Sequence, residues 1–313
     1  MRRQAFATLL AVATTLASVP VHAAVILGTP KPVFVGIDLR PVEINSSRGF
    51  AAEIDLRAPG IGFTGSQPAS AGVPLAGSSP PQQAKTVAQT TSQFLSESGV
   101  ELATNAGFFA PCCNAANEGK DVIGLTVTNG RTVSPLDPTR PASILISPAN
   151  QALIGTFTAL PADFAIADAF TGSDILVDRG ANVAPTANTA FNNANPRTAV
   201  GVSADGRNLY LVTIDGRQPG YSTGTSLAET GDVLLALGAF EGLNLDGGGS
   251  TAMVIADGAG GATLLNRPSG GTERYDGGNF GVFAVALPVP EPYSLVLLTV
   301  GLAGLAARRR RQS

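Results

Sequence analysis

Histidine is almost absent from this sequence, tryptophan is missing, and only two cysteines and two methionines occur. The single histidine is His22. It sits in residues 1–23, where Met1, Arg2 and Arg3 precede an apolar run from Ala5 to Ala17 and a small-residue ending, Val21-His22-Ala23. A basic head, a short apolar core and small residues before a cut read as a secretory signal. With that segment removed, no histidine is left. A Ser-His-Asp triad, a Cys-His pair and a His-ligated metal centre are then excluded. Acid–base chemistry falls to carboxylates, tyrosine, lysine or cysteine. Charged residues make up only 14% of the chain. Arg2, Arg3 and Arg308 to Arg311 lie in the terminal segments, so the body between them is more acidic than the net charge of −3. Such a surface argues against nucleic acid as a partner.

Long apolar runs are also scarce. The longest, Tyr293 to Ala307, is shorter than the ~20 residues a spanning helix needs. It follows Val289-Pro290-Glu291-Pro292 and precedes Arg308-Arg309-Arg310-Arg311. This order resembles the PEP-CTERM sorting tag. The resemblance implies a transient inner-membrane anchor at 289–313, the arginines held on the cytoplasmic side, and a sorting peptidase that cuts the tag as the protein passes outward to the periplasm, cell surface or medium. A plain C-terminal membrane anchor fits the same residues.

The body, residues 24–288, is long enough for one large domain. Alternation marks strands at Val33 to Leu39 and Gly49 to Leu56. Residues 58–81, rich in Gly, Pro, Ser and Ala, read as an irregular loop, and 82–98 as a helix stopped by Gly99. Strands are expected from Glu101 to Asn105, Val122 to Val127 and Ala142 to Ile146, with an Asn129-Gly130 hairpin. Ile175 to Val177 reads as another, and 181–196 as a surface loop. A hairpin joins Thr198 to Ser203 and Asn208 to Ile214. Ser226 and Glu229 form a capping box for a helix bearing Leu227, Val233, Leu234 and Leu237. Strands through Leu243 to Asp246, Ala252 to Ala256 and Phe280 to Leu287 complete the body. Strands greatly outnumber helices, so the fold class is α+β, a single domain built on a large, mostly antiparallel or mixed sheet.

Asp246-Gly247-Gly248-Gly249-Ser250-Thr251 is the sharpest chemical feature. Three glycines expose backbone N–H groups that can cradle an anion, and Ser250 and Thr251 add hydroxyls. The same run also fits a plain turn in which Asp246 accepts its own backbone N–H groups. Asp215-Gly216-Arg217 lies at a strand end, and Arg217 and Arg197 can fork onto a phosphate. Asn105, in Asn105-Ala106-Gly107-Phe108-Phe109, is placed to meet a sugar hydroxyl, and Phe109 a sugar face. Phe108 and Phe109 equally suit the core. Glu229 is a candidate carboxylate, although its capping position already gives it a structural role. Adjacent Cys112 and Cys113 point to a vicinal disulfide in an exported chain, with paired free thiols as the alternative.

These blocks taken in order carry a resemblance. Pro196-Arg197-Thr198-Ala199-Val200-Gly201, Asp215-Gly216-Arg217, Ser222 with Gly224 and Glu229, and Asn244 through Thr251 are similar to the phosphodiester glycosidase family. Asn105 to Phe109 resembles its upstream element, with Ala106 a departure. Asn266-Arg267-Pro268, Arg274 and Asn279 resemble its closing element. The Pro111-Cys112-Cys113 insert lies outside the pattern. The resemblance implies an exported hydrolase that cleaves the glycosidic bond of a sugar-1-phosphate diester. Asp246, Asp215 and Glu229 would be its catalytic carboxylates. Asn105, Gly107, Arg197, Thr198, Arg217, Ser222, Asn244, Gly247, Gly248, Gly249, Ser250, Thr251 and Arg274 would hold substrate and phosphate. No cofactor is expected, although a divalent cation on Asp215 and Asp246 is chemically allowed. A non-catalytic carbohydrate-binding protein and an exopolysaccharide-matrix component are the competing readings.

Overall fold

Strands Arg197–Ser203 and Asn208–Ile214 are almost wholly buried because both of their faces are covered. Leu209 and Leu211 point into one core cluster; Tyr210 and Val212, one residue out of phase, point into another. That is the period-two geometry of a strand buried on both sides. The computed structural model describes residues 24–113 and 115–288, so the signal and the sorting tag lie outside the described residues. No helix among the described residues is long and apolar enough to cross a membrane.

The two strands form the middle of a ten-stranded sheet. Asn208–Ile214 pairs with Ser47–Asp55, which pairs with Ile37–Ile44, while Arg197–Ser203 pairs on its other side with Ala239–Asn244. A second sheet of five strands centres on Ala142–Ile146 and Asp168–Thr171. A third centres on Leu102–Asn105, flanked by Met253–Ala256 and Asn279–Phe283. A small sheet of three strands, Thr86–Val87, Gly119–Val122 and Phe109–Ala110, lies apart from these. Every ladder is antiparallel.

The three larger sheets meet on one core. Ile54, Leu211 and Val200 come from the first, Ile144, Ile146 and Phe170 from the second, and Leu102, Met253 and Phe280 from the third. Phe280 stacks on Phe170 with ring centroids 4.4 Å apart and tilts against Phe63 at 5.8 Å. The helix Leu227–Leu237 covers the outer face of the large sheet through Leu227, Val233, Leu234 and Leu237. The helix Thr91–Ser98 covers the third sheet through Phe94 and Leu95.

Several expected boundaries move. The strand from Val33 to Leu39 is broken at Gly36, whose φ of +79° is left-handed, and its second half runs on to Ile44. The expected helix over 82–98 is helical only at Thr91–Ser98. Ala84 and Ala88 are both buried, but Thr86 between them is buried too, which is strand alternation. A spacing of four residues satisfies both periods, and Thr90 with Gln93 supplies the capping box that starts the helix later. The loop 58–81 contains a strand, Gly62–Gly65, paired with Asn279–Phe283. Gly124, at φ +81°, splits the expected strand 122–127, and the last strand breaks at Ala284.

The stacked aromatics give a direct test of the shared core. Phe280→Ala is expected to lower unfolding stability by about 3–5 kcal/mol, read as a shift in the urea midpoint with the m-value unchanged.

Candidate functional site

The site is built where three strands of two sheets end together. Asn105 closes Leu102–Asn105, Arg197 opens Arg197–Ser203, and Asn244 closes Ala239–Asn244 just before the glycine run. Asn105 is 1% exposed and ties these ends to one another. Its Nδ2 donates to the Asp246 carbonyl at 2.7 Å, and its Oδ1 accepts from Thr198 Oγ1 at 2.6 Å and from the Ala252 N–H at 3.2 Å. Both functional ends of Asn105 and the Thr198 hydroxyl are therefore spent inside the protein. They position the site and do not face a sugar.

A cleft of about 360 Å³ opens beside this knot. Its wall includes Phe108, Phe191, Asn195, Asn244, Asp246 and Gly248, and three arginines, Arg197, Arg217 and Arg274. None of the three forms an ion pair with a carboxylate among the described residues. Arg197 Nε donates to the Thr225 carbonyl at 3.0 Å and its Nη2 to Asn193 at 2.8 Å. Arg217 Nε and Nη2 both donate to Asn195 Oδ1, at 3.1 and 2.9 Å. Burial, with the neighbouring charge of Arg217 adding to it, pulls the Arg197 guanidinium down to about 10, while Asp174 works in the opposite direction. Three guanidinium groups on one cleft give it a markedly cationic lining.

The glycines make room for these arginines. A Cβ on Gly248 would come within 3.3 Å of both Arg217 Nη atoms, and one on Gly249 would overlap the Arg274 guanidinium. A Cβ on Gly247 would come 2.7 Å from the Pro196 carbonyl oxygen. The expected nest of free N–H groups is not what forms. Gly248 N–H donates to Pro196 at 2.9 Å, and Gly247 N–H bonds to the Asp246 carboxylate itself. The amides are used to shape the turn, and the arginines are left to meet the anion.

Asp246 is half-buried on the cleft wall. Beneath it lies Asp276, which is 1% exposed. Each carboxyl group has the Ser250 hydroxyl as a hydrogen-bond partner. Burial pushes Asp246 up to about 6, against the pull of Ser250, the Gly247 N–H and Arg274. Burial, and then the charge of Asp246, raise Asp276 well above the ordinary carboxylate range. Asp276 Oδ1 is buried with no hydrogen-bond partner, which also disfavours a full negative charge there. The two carboxyls are electrostatically coupled, and charge is disfavoured more strongly on the buried Asp276 than on Asp246.

The remaining candidates go elsewhere. Asp215 does not line the cleft. Its oxygens take Asn266 Nδ2 and the Arg267 N–H at 2.9 Å each and Tyr221 Oη at 3.1 Å, so it fastens the 215–222 loop to the 266–267 segment. It shares no site with Asp246 for a cation. Ser222 Oγ donates to the Asp215 carbonyl at 2.6 Å. Glu229 is also outside the cleft: its Oε2 receives the Ser226 N–H at 2.8 Å and its Oε1 receives Asn45 Nδ2. Capping explains it in full. Gly107 leaves clearance beside the Thr171 carbonyl. Thr251 is buried, its hydroxyl unpartnered, and Asn244 lines the cleft with its Nδ2 on Ser173. Phe108, not Phe109, faces the cleft, and pairs with Phe191 at 6.3 Å. Cys112 and Cys113 are bonded to each other, and Arg274 Nη1 lies 3.9 Å from Cys112 Sγ.

Asp276, Phe191 and Asn195 were not among the expected site residues. Asp276 carried a signal, because Asp276-Gly277-Gly278 repeats the Asp246-Gly247-Gly248 pattern. Phe191 and Asn195 carried none, as they sit in an Asn-rich surface loop. Among the described residues no cluster of three metal-ligating side chains forms.

The phosphodiester glycosidase family model matches residues 98–283, more than half of the chain and the whole of this cleft's framework. The chain belongs to the phosphodiester glycosidase family. The PEP-CTERM protein-sorting motif matches residues 288–311 and marks export to the cell envelope or beyond it. No curated protein matches. Among solved structures, a Synechocystis protein superposes with a TM-score of 0.53 at 20% identity over 81% of this chain, which spans 64% of that one. The zebrafish N-acetylglucosamine-1-phosphodiester alpha-N-acetylglucosaminidase catalytic domain, auto-inhibited by its pro-peptide, gives 0.56 at 17% identity, covering 84% of this chain and 88% of that one. An exported protein of Burkholderia pseudomallei K96243 gives 0.52 at 19%, covering 75% and 74%. At these identities the structures establish a common fold.

Gly249 offers a clean test of how the arginines reach the cleft. Gly249→Ala should displace Arg274 and weaken inorganic phosphate binding by about tenfold, measured by calorimetry, with the circular dichroism spectrum unchanged. The raised Asp246 has a consequence for stability. A carboxyl whose folded pKa lies above its unfolded value stabilises fully below the unfolded pKa, and that contribution is lost as pH rises through about 6. Asp246→Asn removes the penalty and should raise stability at pH 7.5 by on the order of 1–2 kcal/mol. The gain should vanish by pH 4 in thermal melts.

Proposed function

We propose that this protein hydrolyses the glycosidic bond of a sugar-1-phosphate diester in the cell envelope or outside the cell, on cell-surface or extracellular polysaccharide. The observation that carries this is the convergence of Arg197, Arg217 and Arg274 on one cleft with Asp246 on its wall and the buried Asp276 coupled to it. The zebrafish N-acetylglucosamine-1-phosphodiester alpha-N-acetylglucosaminidase, named for a sugar-1-phosphodiester, has the same fold, which agrees with an anion site beside an acid–base pair.

The arginines hold the phosphate as its C1–O bond breaks and its charge grows. Phe108 and Phe191 supply an apolar wall for the sugar. The transition state is oxocarbenium-like. Water adds to C1, the C1–O electron pair leaves on the phosphate monoester, and the Asp246 carboxylate takes the water's proton. Phosphate is already a good leaving group, so a strong acid on its side is unnecessary. Asp276 positions Asp246 and holds its own proton, through the hydroxyl of Ser250. With cationic charge supplied by three guanidinium groups, turnover should persist in EDTA.

The test is hydrolysis of an N-acetylglucosamine-1-phosphodiester by the purified protein across pH 4–9. Activity should rise as pH passes about 6, where Asp246 ionises. Asp246→Asn should lower kcat by about 10²–10⁴-fold. Asp276→Asn, which mimics the protonated form, should stay within about tenfold of wild type and lose any alkaline fall in rate. Full activity in Asp246→Asn would overturn the assignment. Absence of turnover on a panel of sugar-1-phosphate diesters, with ligand still bound, would favour the carbohydrate-binding reading.

A further inference from the structure

Beyond the cleft, Tyr221 of the 215–223 loop gathers two cations that the hydrolytic step does not use, Arg48 and Arg267. Tyr221 is sandwiched by two guanidinium groups: Arg48 lies 5.2 Å from its ring centroid and Arg267 lies 5.0 Å from it. Both arginines are exposed. The row joins the cleft directly. Gln218 Nε2, next to Arg217, donates to the Arg267 carbonyl at 2.8 Å, and Arg217 itself is on the cleft wall. Arg217, Arg267, Tyr221 and Arg48 therefore form one continuous basic and aromatic ridge.

Its outer charges are unpaired among the described residues, as are those of Arg57, Arg131 and Arg140, while three other arginines are paired. Arg40 meets Glu53 at 2.7 Å, Arg207 meets Asp55 at 2.9 Å, and Arg179 meets Asp178 at 3.3 Å. Arg48 and Arg267 have no such partner among the described residues, although Glu43 stands opposite Arg48 in the strand register. Tyr221 holds the two guanidinium groups in place by cation–π contact, and its own hydroxyl is fixed on Asp215. Beside the ridge is a hollow of about 210 Å³ whose wall includes Arg48 and Tyr221 together with Glu43, Asn45, Ser46 and Thr223. In an acidic body, cations kept unpaired and pre-aligned beside an anion cleft have a ligand of their own.

The geometry points to a second, extended subsite on the Arg217–Arg267–Tyr221–Arg48 ridge that binds further anionic groups of a polyanionic glycan whose sugar-1-phosphate end occupies the cleft. This rests on the proposed function for the direction of the chain. The binding itself does not need catalysis.

The test is calorimetric titration of the purified protein and of the Arg48→Gln/Arg267→Gln double variant with three probes: inorganic phosphate, long-chain polyphosphate and polygalacturonate. Both substituted side chains are exposed, and equal melting temperatures check the fold. The double variant should bind inorganic phosphate as wild type does, within about twofold, and bind a polyanion at least about tenfold more weakly. A loss seen with polyphosphate alone assigns the ridge to phosphate-bearing glycans, and a loss with both polymers extends it to carboxylated ones. Unchanged affinity for both polymers would overturn the subsite, as would an equal loss for inorganic phosphate. If wild type shows no turnover but the polymer loss appears, the hydrolase reading fails and the ridge stands.

Discussion

Two carboxyl groups, one disfavouring charge on the other, shape this site. Asp246 and Asp276 are packed together with one hydroxyl, Ser250, between their claims, and burial raises both. Charge is disfavoured more strongly on Asp276 than on Asp246, the half that faces the cleft. The three arginines complement this division. Arg274 is close enough to lower both carboxyls, which keeps Asp246 charged despite its burial. Arg197 and Arg217 line the same wall, and Asp174 acts on Arg197 electrostatically. The fold contributes by ending three strands at Asn105, whose amide fixes the Asp246 backbone.

Much of the fold was legible from local pattern. The Asn129-Gly130 hairpin, the Asp205-Gly206 hairpin and the Ser226–Glu229 capping box all form as their residue types dictate. Errors arose where a pattern satisfied two periods. Ala84 and Ala88 fit a helix and a strand equally, and only the capping pair Thr90 and Gln93 separates them. Gly62–Gly65 was hidden because a short edge strand of glycine and threonine has little apolar signature. The assembly of three sheets on Phe280 is a long-range property that no local window carries.

The site was legible in part. The cleft gathers Arg197, Arg217, Asn244, Asp246 and Arg274 from segments far apart in sequence, as the motif order implied. Three of the expected roles changed for one reason: a polar group near a strand end is often needed by the backbone. Asp215 serves the 266–267 segment, Glu229 serves its helix cap, and Asn105 serves the glycine turn. Spacing alone does not separate a carboxylate that faces a ligand from one that faces an amide. Burial does, and it exposed Asp276 as the partner of Asp246. The sorting motif adds the setting, since it marks the protein for export to the cell envelope or beyond.

The central claim is that the cleft breaks the bond on the sugar side of the phosphate. Turnover of a sugar-1-phosphate diester in ¹⁸O-labelled water tests it most directly, with both products read by mass spectrometry. The account predicts the label on the C1 hydroxyl of the released sugar and none in the phosphate monoester. Label in the phosphate would mean attack at phosphorus. The arginine cleft would then belong to a phosphodiesterase, and the role given to Asp246 would be contradicted.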